Sequence, residues 1–217
     1  MGELDGRVIA VAGAGGSLGP AVARRFAEAG ATLALTDRDE VQLQSLKGEL
    51  DLEEDRLDSR SVDLLDGDAA RGWCDSLVGR FGRVDGLLHL VGGWRGGDPI
   101  QSFDLADYEL LHELLVRTPI HTSRAFHDAL VAGGRGRFAL ISSSQTRKPE
   151  GTNAAYAATK GAAESWTMAL ADSFAGTGAT ANIVVINAIL TPAMRERNPQ
   201  KDYPGFTPVE AIAEALA

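Results

Sequence analysis

The chain has 217 residues, of which 44% are apolar and 24% charged, with one cysteine and a formal net charge of −9 at pH 7. A chain of this size buries about 70% of its unfolded surface in one globular domain, so no staple is needed to hold a core. The acidic excess argues against nucleic-acid and anionic-membrane partners, which need clustered Lys and Arg, and the unpaired Cys74 excludes an internal disulfide.

The amino terminus has neither a basic nor an apolar signal region, which with the lone thiol points to a reducing, cytoplasmic setting. Val8–Ala12 predicts the first strand, and Gly13-Ala14-Gly15-Gly16-Ser17-Leu18-Gly19 follows it, before a helical pattern over Gly19–Ala29. Glycines there let backbone approach a pyrophosphate, whose charge the helix N-terminus stabilises. Thr32–Thr36 predicts the second strand. It ends at Asp37, 24 positions after Gly13, where a carboxylate accepts from the adenosine ribose hydroxyls and repels a 2′-phosphate. That favours NAD, whereas the adjacent Arg38 suits the 2′-phosphate of NADP. The alternative is a solvated turn in which Asp39 caps the next helix, Asp39–Leu50.

Further strands are predicted over Arg60–Val62, Gly86–Val91, Arg137–Ser142 and Asn182–Ile186, with helices over Asp68–Phe81, Leu105–Leu130 and Ala154–Phe174. Short apolar runs alternating with helices predict a doubly wound parallel sheet covered on both faces, within a single domain over residues 1–217. After Thr191 come four prolines and a short helical pattern, Val209–Leu216, with no strand beyond it, so either the last strand is missing or a carboxyl-terminal piece lies outside this sequence. The longest uncharged run, Ser173–Met194, contains Gly, Asn, Thr and Pro and does not read as a membrane helix.

Tyr156 and Lys160 stand at i and i+4 near the start of the last long helix, after Ser142-Ser143-Ser144 at a strand end. That spacing puts phenol and ammonium on one face. A phenol with its ordinary pKa near 10 needs such a positive neighbour to exchange protons at neutral pH, and a serine hydroxyl can hold the reacting oxygen. The histidines at 89, 112, 121 and 127 lack metal-ligand spacing, so no metal is expected. Trp94 and Arg95 lie in a glycine-rich loop at a strand's carboxyl end, where they either touch substrate or anchor the loop.

From about Leu4 to Met194 the chain resembles the short-chain dehydrogenase/reductase family, a Rossmann-like fold. Thirteen residues separate Ser143 from Tyr156, as in the family, which selects Ser143 among its neighbours. The resemblance implies hydride transfer between NAD (or NADP) and a small alcohol or carbonyl compound. Ser143 positions substrate, Tyr156 is the acid/base, and Lys160 lowers its pKa and holds the nicotinamide ribose. Cofactor contacts are implied at Gly13, Gly15, Gly16, Ser17, Leu18, Gly19, Asp37, Arg38, Asp63, Leu64, Val91, Gly92, Ile189 and Thr191. Leu105–Leu130 and Ala154–Phe174 resemble the helices through which members pair, implying a homodimer or homotetramer.

The departures are specific. Ala12 replaces a threonine and Ser17 a glycine. The NNAG turn reads His89-Leu90-Val91-Gly92-Gly93 and keeps only its final glycine, at Gly92. Leu115 stands where a catalytic Asn belongs, with Thr118 or His112 as stand-ins for its water relay, and Ile186-Asn187 replaces Pro-Gly. These losses support a rival reading, a nucleotide-sensing or scaffold subunit without efficient catalysis.

Overall fold

A computed structural model, which describes residues 2–217, gives the elements β1 (Val8–Ala12), α1 (Gly19–Glu28), β2 (Thr32–Asp37), α2 (Glu40–Leu50), β3 (Leu57–Ser61), α3 (Gly67–Phe81) and β4 (Gly86–His89) in its first half. There follow α4 (Leu105–His112), a π turn (Glu113–Arg117), α5 (Thr118–Ala132), β5 (Arg137–Ser143), α6 (Ala154–Ser173), β6 (Thr180–Ile186), β7 (Ala188–Leu190), α7 (Pro192–Arg197), β8 (Phe206–Pro208) and α8 (Val209–Leu216). Six strands form one parallel sheet in the order β3-β2-β1-β4-β5-β6. The winding reverses between β1 and β4, so the loops after these two strands diverge and leave a crevice at their carboxyl ends.

Alternation along β1 sorts its side chains between two cores. Ile9 and Val11 face α1, α2 and α8 with Val22, Phe26, Leu43 and Ile212, while Ala10 and Ala12 face α3, α5 and α6. The alanines leave room on that side for Trp73 and Phe126, whose rings meet edge to face at 4.9 Å. Asp39 caps α2 by accepting from Gln42 N–H at 3.1 Å, as expected.

Several boundaries differ from the expectations. β3 covers Leu57–Ser61 rather than Arg60–Val62: Leu57 and the ion-paired Asp58 are its buried residues, and the polar remainder hides the strand from an apolar-run criterion. β4 stops at His89, and Leu90 and Val91 leave the sheet to line the crevice. The helix expected over Leu105–Leu130 is interrupted by the π turn. α3 begins at Gly67 because Asp66 caps it, accepting from Asp68 and Ala69.

The segment after β6 is more ordered than its prolines suggested. β7 pairs in parallel with β8, Thr191 caps α7 through Met194 N–H, and Tyr203 donates to the Met194 carbonyl at 2.7 Å. α8 lies against α1, tied by the Arg25–Glu214 ion pair. Among the described residues β6 is the edge of the main sheet, and no helix is long and apolar enough to cross a membrane.

Candidate active site

The crevice is a cavity of about 810 Å³ that runs from the glycine loop to the segment around Phe206. Gly13 adopts φ +86°, and a Cβ there would stand 2.7 Å from Val91 N, so only glycine lets the loop lie against the turn after β4. A Cβ on Gly15 would stand 3.1 Å from the Asp37 carboxyl carbon. The loop is thus a backbone cradle at the start of α1, where the first helical N–H groups have no intrahelical acceptors. These features fit a dinucleotide. Ser17, the departure from glycine, is exposed and is part of the cavity lining.

Asp37 accepts from Gly15 N–H at 2.9 Å and Asp39 N–H at 3.1 Å, which fixes the carboxylate toward the cavity. Arg38, Asp63 and Leu64 line the same end. Gly16, Leu18, Val91, Gly92 and Ile189 also lie in the lining, together with Ser143, Tyr156 and Lys160. Two of the expected cofactor residues lie outside it. Gly19 sits under the loop, where a Cβ would collide with the Ala14 carbonyl at 2.0 Å, and Thr191 is engaged in capping α7.

At the other end, Lys160 is only 6% exposed; its Nζ donates to the Ile141 carbonyl at 2.8 Å and lies 5.9 Å from the Tyr156 ring centroid. Burial pushes its ammonium down to about 8, with the Glu164 carboxylate pulling the other way. The Tyr156 phenol is raised, not lowered as expected beside Lys160: burial pushes it up, opposed by a hydrogen bond with the Ser143 side chain. Ser143 Oγ accepts from Gln145 N–H at 3.2 Å and holds the turn that follows β5.

Glu164 is not singled out in the sequence, although its i+4 spacing from Lys160 is a readable signal; its other partners emerge only in three dimensions. One turn beyond Lys160 on α6, it accepts from Ser142 Oγ at 2.6 Å and Thr146 Oγ1 at 2.9 Å, with Arg147 Nη1 at 3.3 Å. Gln145, Leu114 and Phe206 likewise join the lining with no motif to mark them, and Asn187 joins it from the altered Pro-Gly position.

The altered turn makes a closed polar network. Thr118 donates to the Leu114 carbonyl at 2.6 Å and Thr122 to the Thr118 carbonyl at 3.0 Å, and the two hydroxyl oxygens lie 3.0 Å from His89 Nε2 and 3.1 Å from His89 Nδ1. Burial foremost, and then Lys160, push this imidazole down to about 3, so it is neutral. Leu115 is 2% exposed. Thr118 lines the cavity, whereas His112 stacks on Tyr108 outside it.

Comparison with known proteins agrees with this geometry. The family model described as short chain dehydrogenase matches residues 7–202, and the chain belongs to the short-chain dehydrogenase/reductase family of oxidoreductases. Similar to it are a short chain dehydrogenase of Pseudocercospora fijiensis, 31% identical over 82% of this chain and 58% of the relative, and sulfoacetaldehyde reductase 2 of Chromohalobacter salexigens, 30% identical over 79% and 68%. The chain therefore spans little more than half of the first relative's length. Among solved structures, a metagenomic short-chain oxidoreductase in complex with NADP superposes with a TM-score of 0.82 at 25% identity, covering 99% of this chain and 90% of the other. A gluconate 5-dehydrogenase from Burkholderia cenocepacia, in complex with NADP and tartrate, gives 0.84 at 25% identity over 98% and 87%.

Proposed function

We propose that this chain interconverts an alcohol and a carbonyl compound with a nicotinamide dinucleotide as co-substrate. The observation that carries this reading is the convergence of Ser143, Tyr156 and Lys160 in the same cavity as the glycine loop and Asp37. When bound, the dinucleotide gives a hydride to the carbonyl carbon or takes one from the alcohol carbon.

The chain's own groups handle the proton and the orientation. Ser143 donates a hydrogen bond to the substrate oxygen. In the reducing direction Tyr156 Oη gives its proton to that oxygen, and in the oxidising direction it takes the proton back. The Lys160 ammonium stabilises the phenolate this leaves, and Glu164 helps to hold it protonated. The loop backbone around Gly13, Gly15, Gly16, Ser17 and Leu18 holds the pyrophosphate, Asp37 the adenosine ribose, and Asp63 and Leu64 the adenine side. Val91, Gly92 and Ile189 flank the nicotinamide side, with Tyr156 and Lys160 at its ribose.

Asp37 makes NAD the favoured cofactor, with Arg38 opposing it. Titration with NADH and NADPH, read by nicotinamide emission, should show tighter binding of NADH, and Asp37→Asn should narrow the gap. Tyr156→Phe should lower turnover by about 10²- to 10⁴-fold and leave NADH affinity within a few-fold. Nucleotide binding with turnover indifferent to this substitution would instead favour the sensor or scaffold role. A second copy of the chain is the expected partner, paired through α5 and α6, where Met168 is 60% exposed; sedimentation velocity checks this.

A further inference from the structure

Trp94 is the part of the site that the proton chemistry leaves unused. Its indole lines the cavity yet is 52% exposed. The loop that carries it is pinned: Gly97 N–H donates to the Thr152 carbonyl at 2.8 Å, and Arg95 donates to the Trp94 carbonyl at 2.9 Å while lying 3.4 Å from Asp107. Gly96 lies against the ring, and a Cβ there would stand 3.0 Å from Trp94 Cζ2 and 2.7 Å from the Thr152 oxygen. Close backbone therefore backs one side of the indole, and water reaches the rest. An aromatic backed in this way at a cavity wall offers an apolar surface to a ligand.

Charge decides what takes that surface. From Leu90 onward the described lining contains no Asp, Glu, Arg or His, and its one cation, Lys160, is turned to the Ile141 carbonyl. The neighbouring guanidiniums are engaged elsewhere, Arg95 with Asp107 and Arg147 with Glu164. The remaining walls are apolar, as at Leu114 and Phe206, or polar without charge, as at the Thr118, Ser142, Ser143 and Tyr156 hydroxyls and the Gln145 and Asn187 amides. An anionic group would enter this end with no free counter-ion among the described lining side chains, which disfavours it wherever the ligand displaces water.

We propose that the substrate is an uncharged ketone or alcohol bearing a flat apolar group, and that Trp94 is the specificity-determining residue on which that group stacks. The reacting carbon rests on the oxidoreductase reading above; the binding face does not. In the assay direction NADH gives its hydride to the ketone carbon and Tyr156 gives its proton to the oxygen, yielding a secondary alcohol and NAD⁺.

The test uses methyl 4-acetylbenzoate, 4-acetylbenzoate and butanone with the wild-type chain, W94A and W94F, following NADH oxidation and, without turnover, quenching of tryptophan emission in the presence of NAD⁺. We expect the ester to exceed both the carboxylate and butanone in kcat/KM by at least tenfold. W94A should raise its KM at least tenfold with little change in kcat or in the butanone rate, and W94F should restore most of the loss. Equal or better use of the carboxylate, or an unchanged KM in W94A, overturns the proposal and leaves the oxidoreductase reading intact. Trp94-dependent quenching by the ester without turnover supports the binding face and counts against the reaction. Absence of both quenching and turnover with the ester overturns the proposal.

Discussion

Glu164 and His89 are the residues whose burial has the clearest measurable consequences. Glu164 places a carboxylate behind Lys160 and is held by Ser142, Thr146 and Arg147. Glu164→Gln keeps an oxygen acceptor for both hydroxyls and removes only the charge, so Lys160, already pushed down to about 8, should bind its proton roughly tenfold more weakly. The chain has four lysines, so [6-¹³C]lysine NMR resolves this titration directly, without any substrate. An unmoved Lys160 resonance would reduce Glu164 to a hydrogen-bonding strut. His89 makes a different prediction. Its imidazole stays neutral in the fold until about pH 3, whereas the unfolded chain protonates it near 6.5. The unfolded state then binds the extra proton, and stability present above pH 6.5 is lost as pH falls. Urea melts should show wild type losing about 1.4 kcal/mol more than His89→Gln for each pH unit between about 6 and 4.

At the scale of elements, the junction of β1 with α1 is the most constrained. Gly13→Ala places a Cβ 2.7 Å from Val91 N on a backbone with φ +86°, so the loop and the turn after β4 must separate. NADH affinity should fall by at least tenfold, more than for Gly48→Ala, a site on α2 where a Cβ meets nothing. The cap of α3 is simpler. Asp66→Ala removes the acceptor of Asp68 and Ala69 N–H groups and should cost about 1 kcal/mol in thermal melts. The π turn at Glu113–Arg117 places Leu114 and Thr118 on the cavity wall and Leu115 in the core. Apolar periodicity reads through such a turn, which is why a single uninterrupted helix was expected there.

For the whole molecule, the parallel sheet separates two cores. Phe126 belongs to the one under α3, α5 and α6, and Ile212 to the one under α1, α2 and α8. Phe126→Ala should cost about 3–5 kcal/mol and Ile212→Ala about 2–5 kcal/mol. Lying on opposite faces with no shared partner, the two losses should add within about 0.5 kcal/mol in the double variant; a larger discrepancy would mean that the sheet transmits strain between its faces.

The sequence by itself determined the doubly wound αβ class, the glycine loop with Asp37, and the Tyr156–Lys160 pair. Each is a local signal: apolar runs that mark strands buried on both faces, glycines where a Cβ cannot fit, and two polar groups one helical turn apart. Only the tertiary structure decided the start of β3, the π turn, the β7–β8 pair that carries Phe206 to the cavity, and the hold of Ser142 and Thr146 on Glu164. Those depend on cross-strand pairing and on side chains brought together from distant segments. The same holds for Trp94, which the sequence left between loop anchor and substrate contact; its loop is held by the bond from Gly97 N–H to the Thr152 carbonyl, 55 positions away.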